Sequence, residues 1–215
     1  ESTRRRDCRV TRIFVDCRML FSSGIGTYLR NVLPRVVHIM QETGDIELTV
    51  LCRTLEQDAC RALLDRCRNV TTILSDAGIY GIAEQRAFVT AIPRNSDLVW
   101  SPHYNIPALW FGKLVVTVHD TFHLAMPEFV AGAHRRWYAR LMFQLLAAKA
   151  SRVICVSQFT ARELSKHVRI AAEKLRVIHN GVGESWFAVN DRTNPSIRPY
   201  FLYVGNVKPH KNLGR

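Results

Sequence analysis

Seven short apolar runs alternate with helical patterns along most of this chain, and that alternation constrains its fold more than any other feature. The runs cover residues 12–16, 46–52, 70–74, 97–100, 114–118, 152–156 and 175–178. The run at 114–118 is almost wholly apolar and β-branched, which is typical of a central parallel strand buried on both faces. The alternation predicts an α/β fold class, with a Rossmann-like, doubly wound parallel sheet.

Apolar residues at helical spacing predict the helices between these runs. One helix follows a turn at residues 22–26 and ends at Thr43 and Gly44, and others are expected at 55–67, 82–92, 133–150 and 158–167. Pro34 lies inside the first helix and argues against a straight one. Ser157 directly precedes the last helix and is of a residue type that caps helix N-termini.

The end of the chain has a different composition from the rest. Residues 191–199 are polar and contain two prolines, as linkers do. Residues 200–204 then resemble a short buried strand, followed by a basic loop. We therefore predict one domain at 1–187, a linker at 188–199, and the first strand and loop of a truncated second domain at 200–215.

The chain is strongly basic, with a net charge of +12 and a pI near 9.9. This charge suggests a nucleic acid, an acidic membrane surface or a phosphorylated ligand as partner, although a solvated basic surface is the simpler alternative. No nucleic-acid-binding motif accompanies the charge, so no nucleic-acid partner is predicted. The segment 134–143 is basic, aromatic and amphipathic, and it fits either a core-packing helix or one lying on an anionic membrane.

Cysteine and histidine spacing bears on compartment and metal binding. The six cysteines form no C-x-x-C pair, which favours reduced thiols in the cytosol. The histidines show no ligand spacing, so no metal site is predicted. No apolar run approaches the roughly 18 residues that a membrane-spanning helix needs. The predicted location is cytoplasmic, with peripheral attachment to the inner face of a membrane as an extension.

Polar and glycine residues gather after the predicted strands. In a doubly wound sheet, ligands bind beyond the carboxyl ends of the strands, and these residues should meet there. They are Asp16, Arg18, Gly24, Gly26, His103, His119, Asp120, Ser157 and Asn180. This clustering is the main argument from the residues for a binding site.

Each of these groups also has a structural alternative. Gly24 and Gly26 could let the backbone approach a phosphate, or could simply form a turn; a dinucleotide fingerprint would need a third glycine where Leu29 stands. His119 and Asp120 could contact a sugar hydroxyl or cap the next turn. There is no Gly-x-Ser-x-Gly elbow, so a serine hydrolase is poorly supported, and Ser157 is better explained as a helix cap.

Taken together, short motifs along the chain resemble those of the retaining GT-B glycosyltransferases of family 4, the large family, mannosyltransferase-like members included, that builds cell-surface polysaccharides. The motifs, in order, are Asp16-x-Arg18-x-Leu20, Gly24-Ile25-Gly26-x-Tyr28, Val115 to Asp120, Pro127-Glu128-Phe129, Val156-Ser157-x-Phe159-Thr160-x-x-Glu163-Leu164, Asn180-Gly181-Val182, Tyr203-Val204-Gly205 and Pro209-x-Lys211-Asn212-Leu213. Each is short, and their joint order and spacing carry the resemblance.

The resemblance implies an N-terminal, acceptor-side half of a GT-B enzyme. His119 and Asp120 would be catalytic, with His119 contacting the transferred sugar. Gly24, Gly26, Arg18, Ser157 and Lys211 would bind substrate or phosphate. The donor would be a nucleotide-sugar, with no cofactor and no metal, and the acceptor a glycan or lipid-linked molecule. The reaction implied is transfer of a hexose, such as mannose, with retention.

Two residues depart from the family pattern. Asn206 stands where many relatives have an arginine after the Val-Gly turn, and Gly183 stands where relatives often have an aspartate. The 215-residue chain by itself is expected to be inactive, because the donor side of the cleft would lie in the second domain. The alternative function is a non-catalytic domain that binds an acceptor or a membrane.

Overall fold

The computed structural model describes residues 10–183, 186–187, 200–205, 207 and 211–213. Seven parallel strands form one sheet in the order β3-β2-β1-β4-β5-β6-β7. The strands are β1 (Thr11–Asp16), β2 (Ile46–Cys52), β3 (Val70–Leu74), β4 (Leu98–Ser101), β5 (Leu114–Val118), β6 (Arg152–Cys155) and β7 (Leu175–Val177). The predicted α/β, Rossmann-like parallel sheet is confirmed.

Six helices cover the two faces of this sheet. They are α1 (Ser23–Thr43), α2 (Gln57–Leu63), α3 (Ile82–Ala91), α4 (Phe122–Ala125), α5 (Ala133–Lys149) and α6 (Gln158–His167), with single 3-10 turns at Thr54–Glu56, Pro127–Phe129 and Ala172–Lys174. The first helix continues through Pro34. The second is shorter than predicted, because the segment from Thr54 forms a separate 3-10 turn before it.

Two apolar layers hold the helices against the sheet. Buried residues of α1 and α2, such as Leu29, Leu33 and Cys60, pack on one face. Buried residues of α3, α5 and α6, such as Phe88 and Phe143, pack on the other. β5 is buried in this arrangement almost along its whole length, as its β-branched sequence predicted. Because the strands are parallel, each connection between them begins at the carboxyl edge of the sheet. The loops that carry the candidate residues lie at this edge.

The predicted second domain is only partly described. Residues 200–204 form no strand, and their side chains are exposed, which differs from the predicted buried strand. The seven strands of the described sheet do not include this segment. The predicted linker at 188–199 and the loop residues 206 and 208–210 lie outside the described residues. Among the described helices, none is long and apolar enough to cross a bilayer.

Candidate functional site

The strand order reverses beside β1, which lies between β2 and β4. From β1 the chain proceeds towards β3 on one side, and from β4 it proceeds towards β7 on the other. Two neighbouring loops leave in opposite directions at such a point, so a crevice opens at the carboxyl ends of the strands. The loop after β1, the loop after β4 and the residue after β5 all end at this crevice.

The N-terminus of α1 faces this edge without a capping side chain. The helix begins at Ser23, so Gly24 and Gly26 lie in its first turn and not in a preceding turn as predicted. Ser22 makes no side-chain cap, and the first turn holds no acidic residue. Ser23 has a φ of 46°, in the left-handed region that non-glycine residues rarely adopt. Uncapped first-turn amides with no acidic neighbour favour an anion.

The two glycines have different surroundings. A Cβ on Gly26 would collide with the backbone of the preceding loop, at the carbonyl of Leu20, whose carbon would lie 2.8 Å away. The same carbonyl accepts a hydrogen bond from Arg30, so it is held in place. A Cβ on Gly24 would meet no atom within 4 Å. Gly26 is therefore required by packing, and only Gly24 leaves the backbone open to a ligand.

We expect Gly24→Val to weaken binding of a nucleoside diphosphate to the native protein by about tenfold or more, since charged hydrogen bonds to first-turn amides would be obstructed. Gly44→Val is the matched control, because Gly44 lies past the other end of the same helix, has an extended backbone and is equally open. Calorimetry would measure affinity, and thermal unfolding would show that both variants fold. Equal affinity in the two variants would show that Gly24 is only part of a turn.

Arg18 does not occupy the position that its predicted phosphate-binding role requires. Its side chain is 1% exposed and forms a two-point contact with Asp16, at 2.9 Å from Nε to Oδ1 and 2.8 Å from Nη2 to Oδ2. Nη2 also donates to Glu84 at 3.1 Å. Burial lowers the pKa of Arg18, but the hydrogen bonds and charges of the two carboxylates outweigh it and raise the pKa overall. The guanidinium is thus a buried structural cation.

Glu84 is the other centre of this buried network, and the sequence did not point to it. It lies in the first turn of α3 and is 1% exposed. Its carboxylate accepts from the Tyr138 hydroxyl at 2.8 Å, from the Tyr80 amide at 3.1 Å and from Asn105 Nδ2 at 3.4 Å, besides Arg18. Burial raises the pKa of Glu84, and these partners offset it only in part.

The network has a structural consequence. It connects the end of β1, the loop after it, the start of α3, the loop after β4 and the first turns of α5. Each of these segments leaves the sheet at the carboxyl edge. The network therefore fixes the position of the loop that leads into Gly24 and Gly26, although its charged groups, Asp16, Arg18 and Glu84, are buried.

His119 follows β5 directly and is half-buried in the crevice. Its Nε2 lies 3.0 Å from the carbonyl oxygen of Pro102, in the loop after β4. Its ring meets the edge of the Tyr28 ring at a centroid distance of 5.0 Å. Tyr28 lies on α1, one turn after Gly24. The imidazole and the uncapped helix N-terminus are therefore neighbours, as their sequence positions predicted.

The protonation state of His119 follows from these contacts. Burial lowers its pKa, and the Pro102 carbonyl and the charge of Asp120 raise it only in part. The ring is therefore neutral at pH 7. Because a carbonyl can only accept, Nε2 carries the proton and Nδ1 is the unprotonated nitrogen. His119 can thus accept a hydrogen bond from a ligand hydroxyl but supplies no positive charge.

Ser157 caps helix α6. Its Oγ accepts from the Thr160 amide at 3.0 Å and lies 2.9 Å from the Thr160 hydroxyl. The Thr160 hydroxyl in turn donates to the His119 carbonyl at 3.3 Å. The alternative interpretation of Ser157 as a cap is confirmed, and this pair supports the backbone of His119.

Asp120 and Lys211 are both exposed. Oδ1 of Asp120 accepts from the Phe122 amide at 3.0 Å, so the residue forms the local turn that was its alternative interpretation. Lys211 lies in the described part of the C-terminal segment, and its predicted contact with leaving phosphates stays a prediction. Sequence position brings Asp120 to the crevice beside His119, whereas the structure describes no contact between Lys211 and this site.

An aromatic group beside the crevice was missed by sequence reasoning. The rings of Tyr80 and Tyr104 lie 5.7 and 5.2 Å from that of His123, and Tyr104 lies 4.1 Å from His103. Tyr80 has a φ of 73°, so its backbone is held in a left-handed conformation. Burial and the nearby charges lower the pKa of His103 to about 3, so it is neutral. Tyr80 and His123 remain partly exposed and give one side of the crevice an aromatic wall.

The site offers hydrogen-bonding groups for an anion and for a hydroxyl. Within the described residues, no group of three or more His, Cys, Asp or Glu is arranged to bind a metal ion. The uncapped amides of α1 supply donors for a phosphate, and neutral His119 supplies an acceptor for a hydroxyl. A phosphorylated sugar presents the matching groups, which are a phosphate and hydroxyls.

The chain is similar to a solved glycosyltransferase structure. A crystal structure of a glycosyltransferase from Rickettsia africae ESF-5 superposes with a TM-score of 0.49 at 16% identity, over 84% of this chain and 45% of that one. The chain thus spans about half the length of that structure. No curated protein shows significant similarity to the chain.

The sequence profile of glycosyltransferase family 4 matches residues 23–185, about three quarters of the chain. The matched region begins at the first turn of α1 and includes His119, the aromatic wall and the cap of α6. It therefore contains most of the candidate site. The chain belongs to glycosyltransferase family 4.

Proposed function

We propose that this chain forms the acceptor-side half of a cytoplasmic enzyme that transfers a hexose, such as mannose, from a nucleotide-sugar to a lipid-linked or polysaccharide acceptor, with retention of configuration. Family membership supports glycosyl transfer in general. The hexose, the acceptor class and retention rest on the order and spacing of the motifs. The polysaccharide-building role rests on the same resemblance.

One observation carries the proposal: the neutral imidazole of His119 lies near the uncapped N-terminus of α1, because Tyr28 of that helix contacts the imidazole. The Tyr28 ring contacts His119 at 5.0 Å and belongs to the helix that presents Gly24. A nucleotide-sugar joins a diphosphate to a sugar through one glycosidic oxygen. A site for it needs an anion-binding group within one sugar length of a hydroxyl-binding group, and this edge offers both.

The proposed role of each group in the site follows from its charge. Departure of the nucleoside diphosphate builds negative charge, which the first-turn amides of α1 would stabilise together with Lys211. His119 is neutral and would position the transferred sugar through Nδ1. The aromatic wall of Tyr80 and His123 would contact the apolar face of an acceptor sugar. No side chain of the site needs to act as a covalent nucleophile.

The alternative function is that of a domain that binds an acceptor or a membrane without catalysis. Incubating the native protein with nucleoside-diphosphate hexoses and lipid-linked or glycan acceptors separates the two. Release of nucleoside diphosphate together with a glycosylated product supports the enzyme, and the anomeric configuration of that product tests retention. Acceptor binding without release of nucleoside diphosphate, across all donors tried, would favour the non-catalytic domain.

We expect the 215-residue chain by itself to fold but to show no measurable transfer. Its sheet and both apolar layers are complete, so the first domain has its own core. Residues 200–204 are exposed, and the structure describes no contact between Lys211 and the site. Circular dichroism would show the fold, and product analysis would show the activity. Transfer at a rate similar to that of a two-domain relative would contradict this division of labour.

A further inference from the structure

We infer that the outer surface made by α3, residues 108–113 and α5 docks onto a bilayer that contains anionic lipids. We call this surface the basic apolar face. It lies on one side of the sheet, since α3 and α5 pack into the same apolar layer. Gln85 of α3 joins the two helices by donating to the Tyr138 hydroxyl and to the Ile106 carbonyl.

Large apolar side chains project from all three segments of this face. Phe111 is 86% exposed and Trp137 is 72% exposed. The set of exposed large apolar residues is Ile82, Val89, Leu109, Phe111, Trp137 and Leu141. Trp137 and Leu141 are one helical turn apart, on the side of α5 opposite its buried residues. An apolar patch of this extent that no described residue covers indicates an interaction surface.

The charges on this face are all of one sign. Its lysines and arginines are Arg86, Lys113, Arg135, Arg136, Arg140 and Lys149, and all but Lys149 are exposed. The only carboxylate in the three segments is Glu84, which is buried in the network with Arg18. The helices on the opposite side of the sheet carry carboxylates as well as cations, for example Glu42 and Asp58. Because its exposed charges are all positive, the basic apolar face is complementary to an anionic surface.

One contact shows apolar and cationic groups acting together. Lys149 Nζ lies 4.0 Å from the centre of the Phe111 ring and also donates to the Ala108 carbonyl. Lys149 therefore holds the exposed Phe111 ring through a cation–π contact. Beside it, a cavity of about 490 Å³ opens between α3 and the 107–112 segment, and its lining is mostly apolar. Such a cavity can receive part of an acyl chain.

The charge pattern favours a bilayer over other occupants. A second copy in symmetric contact would bring cations against cations, with no carboxylate on the face to compensate. A nucleic acid would satisfy the cations but would leave the aliphatic side chains of Ile82, Val89, Leu109 and Leu141 without apolar partners. A bilayer with anionic headgroups satisfies both kinds of group, as interfacial proteins do.

The face also adjoins the candidate site. Helix α5 begins at the carboxyl edge of the sheet, and its Tyr138 bonds to Glu84 in the buried network. Trp137 is the next residue along the helix. A bilayer against this face would therefore lie beside the aromatic wall of Tyr80 and His123, where a membrane-held molecule could reach the crevice.

Co-sedimentation with vesicles tests the inference on the full chain. We expect binding to vesicles of phosphatidylglycerol mixed with phosphatidylcholine, and little binding to phosphatidylcholine alone. Arg135→Gln with Arg140→Gln should lower the partition coefficient about 30-fold at low salt, from roughly fivefold per cation at the membrane surface. Leu109→Ser with Phe111→Ser should lower it by about tenfold or more. The effect of the arginine substitutions should shrink at physiological salt.

Controls of the same chemistry lie on the other side of the sheet. Arg66→Gln with Arg68→Gln removes two exposed cations beyond α2, and Leu55→Ser removes an exposed leucine before it. We expect both to change the partition coefficient less than twofold. Equal losses in the two arginine pairs would overturn the inference in favour of diffuse net charge. Equal binding to neutral vesicles, a dimer that Phe111→Ser dissociates, or RNA binding unaffected by the apolar substitutions would each overturn it as well.

Discussion

Replacing Arg18 with leucine is expected to destabilise the fold by about 3–5 kcal/mol, because it leaves two buried carboxylates without their cation. Asp16 and Glu84 both contact the guanidinium, at 2.8 and 3.1 Å, and their side chains are only 10% and 1% exposed. In a domain of this size the loss corresponds to a fall in melting temperature of roughly 10 °C. Urea unfolding followed by circular dichroism measures the free energy directly.

Arg12→Leu is the matched control. Arg12 lies at the start of the same strand and forms a single ion pair with Glu47, at 3.0 Å, with its side chain 41% exposed. Exposed pairs of this kind contribute between 0 and about 1 kcal/mol. A difference between the two variants therefore measures burial, since both lose one arginine next to a carboxylate. Equal destabilisation would contradict the structural role assigned to Arg18.

A compensated variant separates loss of charge balance from loss of packing. Asp16→Asn and Glu84→Gln, combined with Arg18→Leu, remove all three charges and leave the side chains close to their original sizes. We expect this triple variant to be more stable than Arg18→Leu alone, because no buried charge is left unpaired. A triple variant less stable than the single one would show that the other hydrogen bonds of the carboxylates, such as that from Tyr138 to Glu84, outweigh the cost of their unpaired charge.

The sheet and the cap of α6 could be predicted from the sequence because their causes are local. The run Leu114 to Val118 is β-branched and apolar, so it forms a strand wherever it is buried on both faces. Ser157 stands immediately before an amphipathic segment, and its hydroxyl reaches the Thr160 amide, three residues away. Neither inference needs information about distant parts of the chain.

The buried network could not be predicted because its causes are distant. Glu84 meets Arg18 across 66 residues and Tyr138 across 54. In the sequence, Glu84 resembles an ordinary acidic residue in the first turn of a helix. Arg18 follows a strand end, near the carboxyl edge of the sheet. An arginine at that position could be either a phosphate ligand or a buried cation. Only the tertiary contacts distinguish them.

The motif that contains Gly26 was correctly identified, but the reason why this position is a glycine differs from the one first assigned. The resemblance assigned both glycines to close approach of a ligand, with a simple turn as the alternative. The structure shows that Gly26 is needed for close approach of the chain itself, at the Leu20 carbonyl. Substitution of Gly26 would therefore disturb the loop after β1 as well as any ligand, and Gly24 is the residue that isolates the effect on binding.

The second large effect is expected at the residue after β5: in the native protein, His119→Ala should lower kcat by on the order of 10²-fold while leaving KM for the donor within a few-fold. The ring is held by the Pro102 carbonyl and by Tyr28, so its Nδ1 is fixed before the sugar arrives. Alanine removes this acceptor and leaves the strand intact. Initial rates at varied donor concentration measure both constants.

His38→Ala is the control for this substitution, since His38 is an exposed histidine on α1 and pairs only with Glu42 on the same helix. The pH dependence adds an independent readout. Burial lowers the pKa of His119 below its ordinary value of 6.5, so the ring stays neutral as the pH falls through 6.5 and protonates only at lower pH. Wild-type activity should therefore lose its His119-dependent part below pH 6.5, and the His119→Ala variant should lack that loss. Activity of His119→Ala within a few-fold of that of His38→Ala, with both variants folded, would remove His119 from the site.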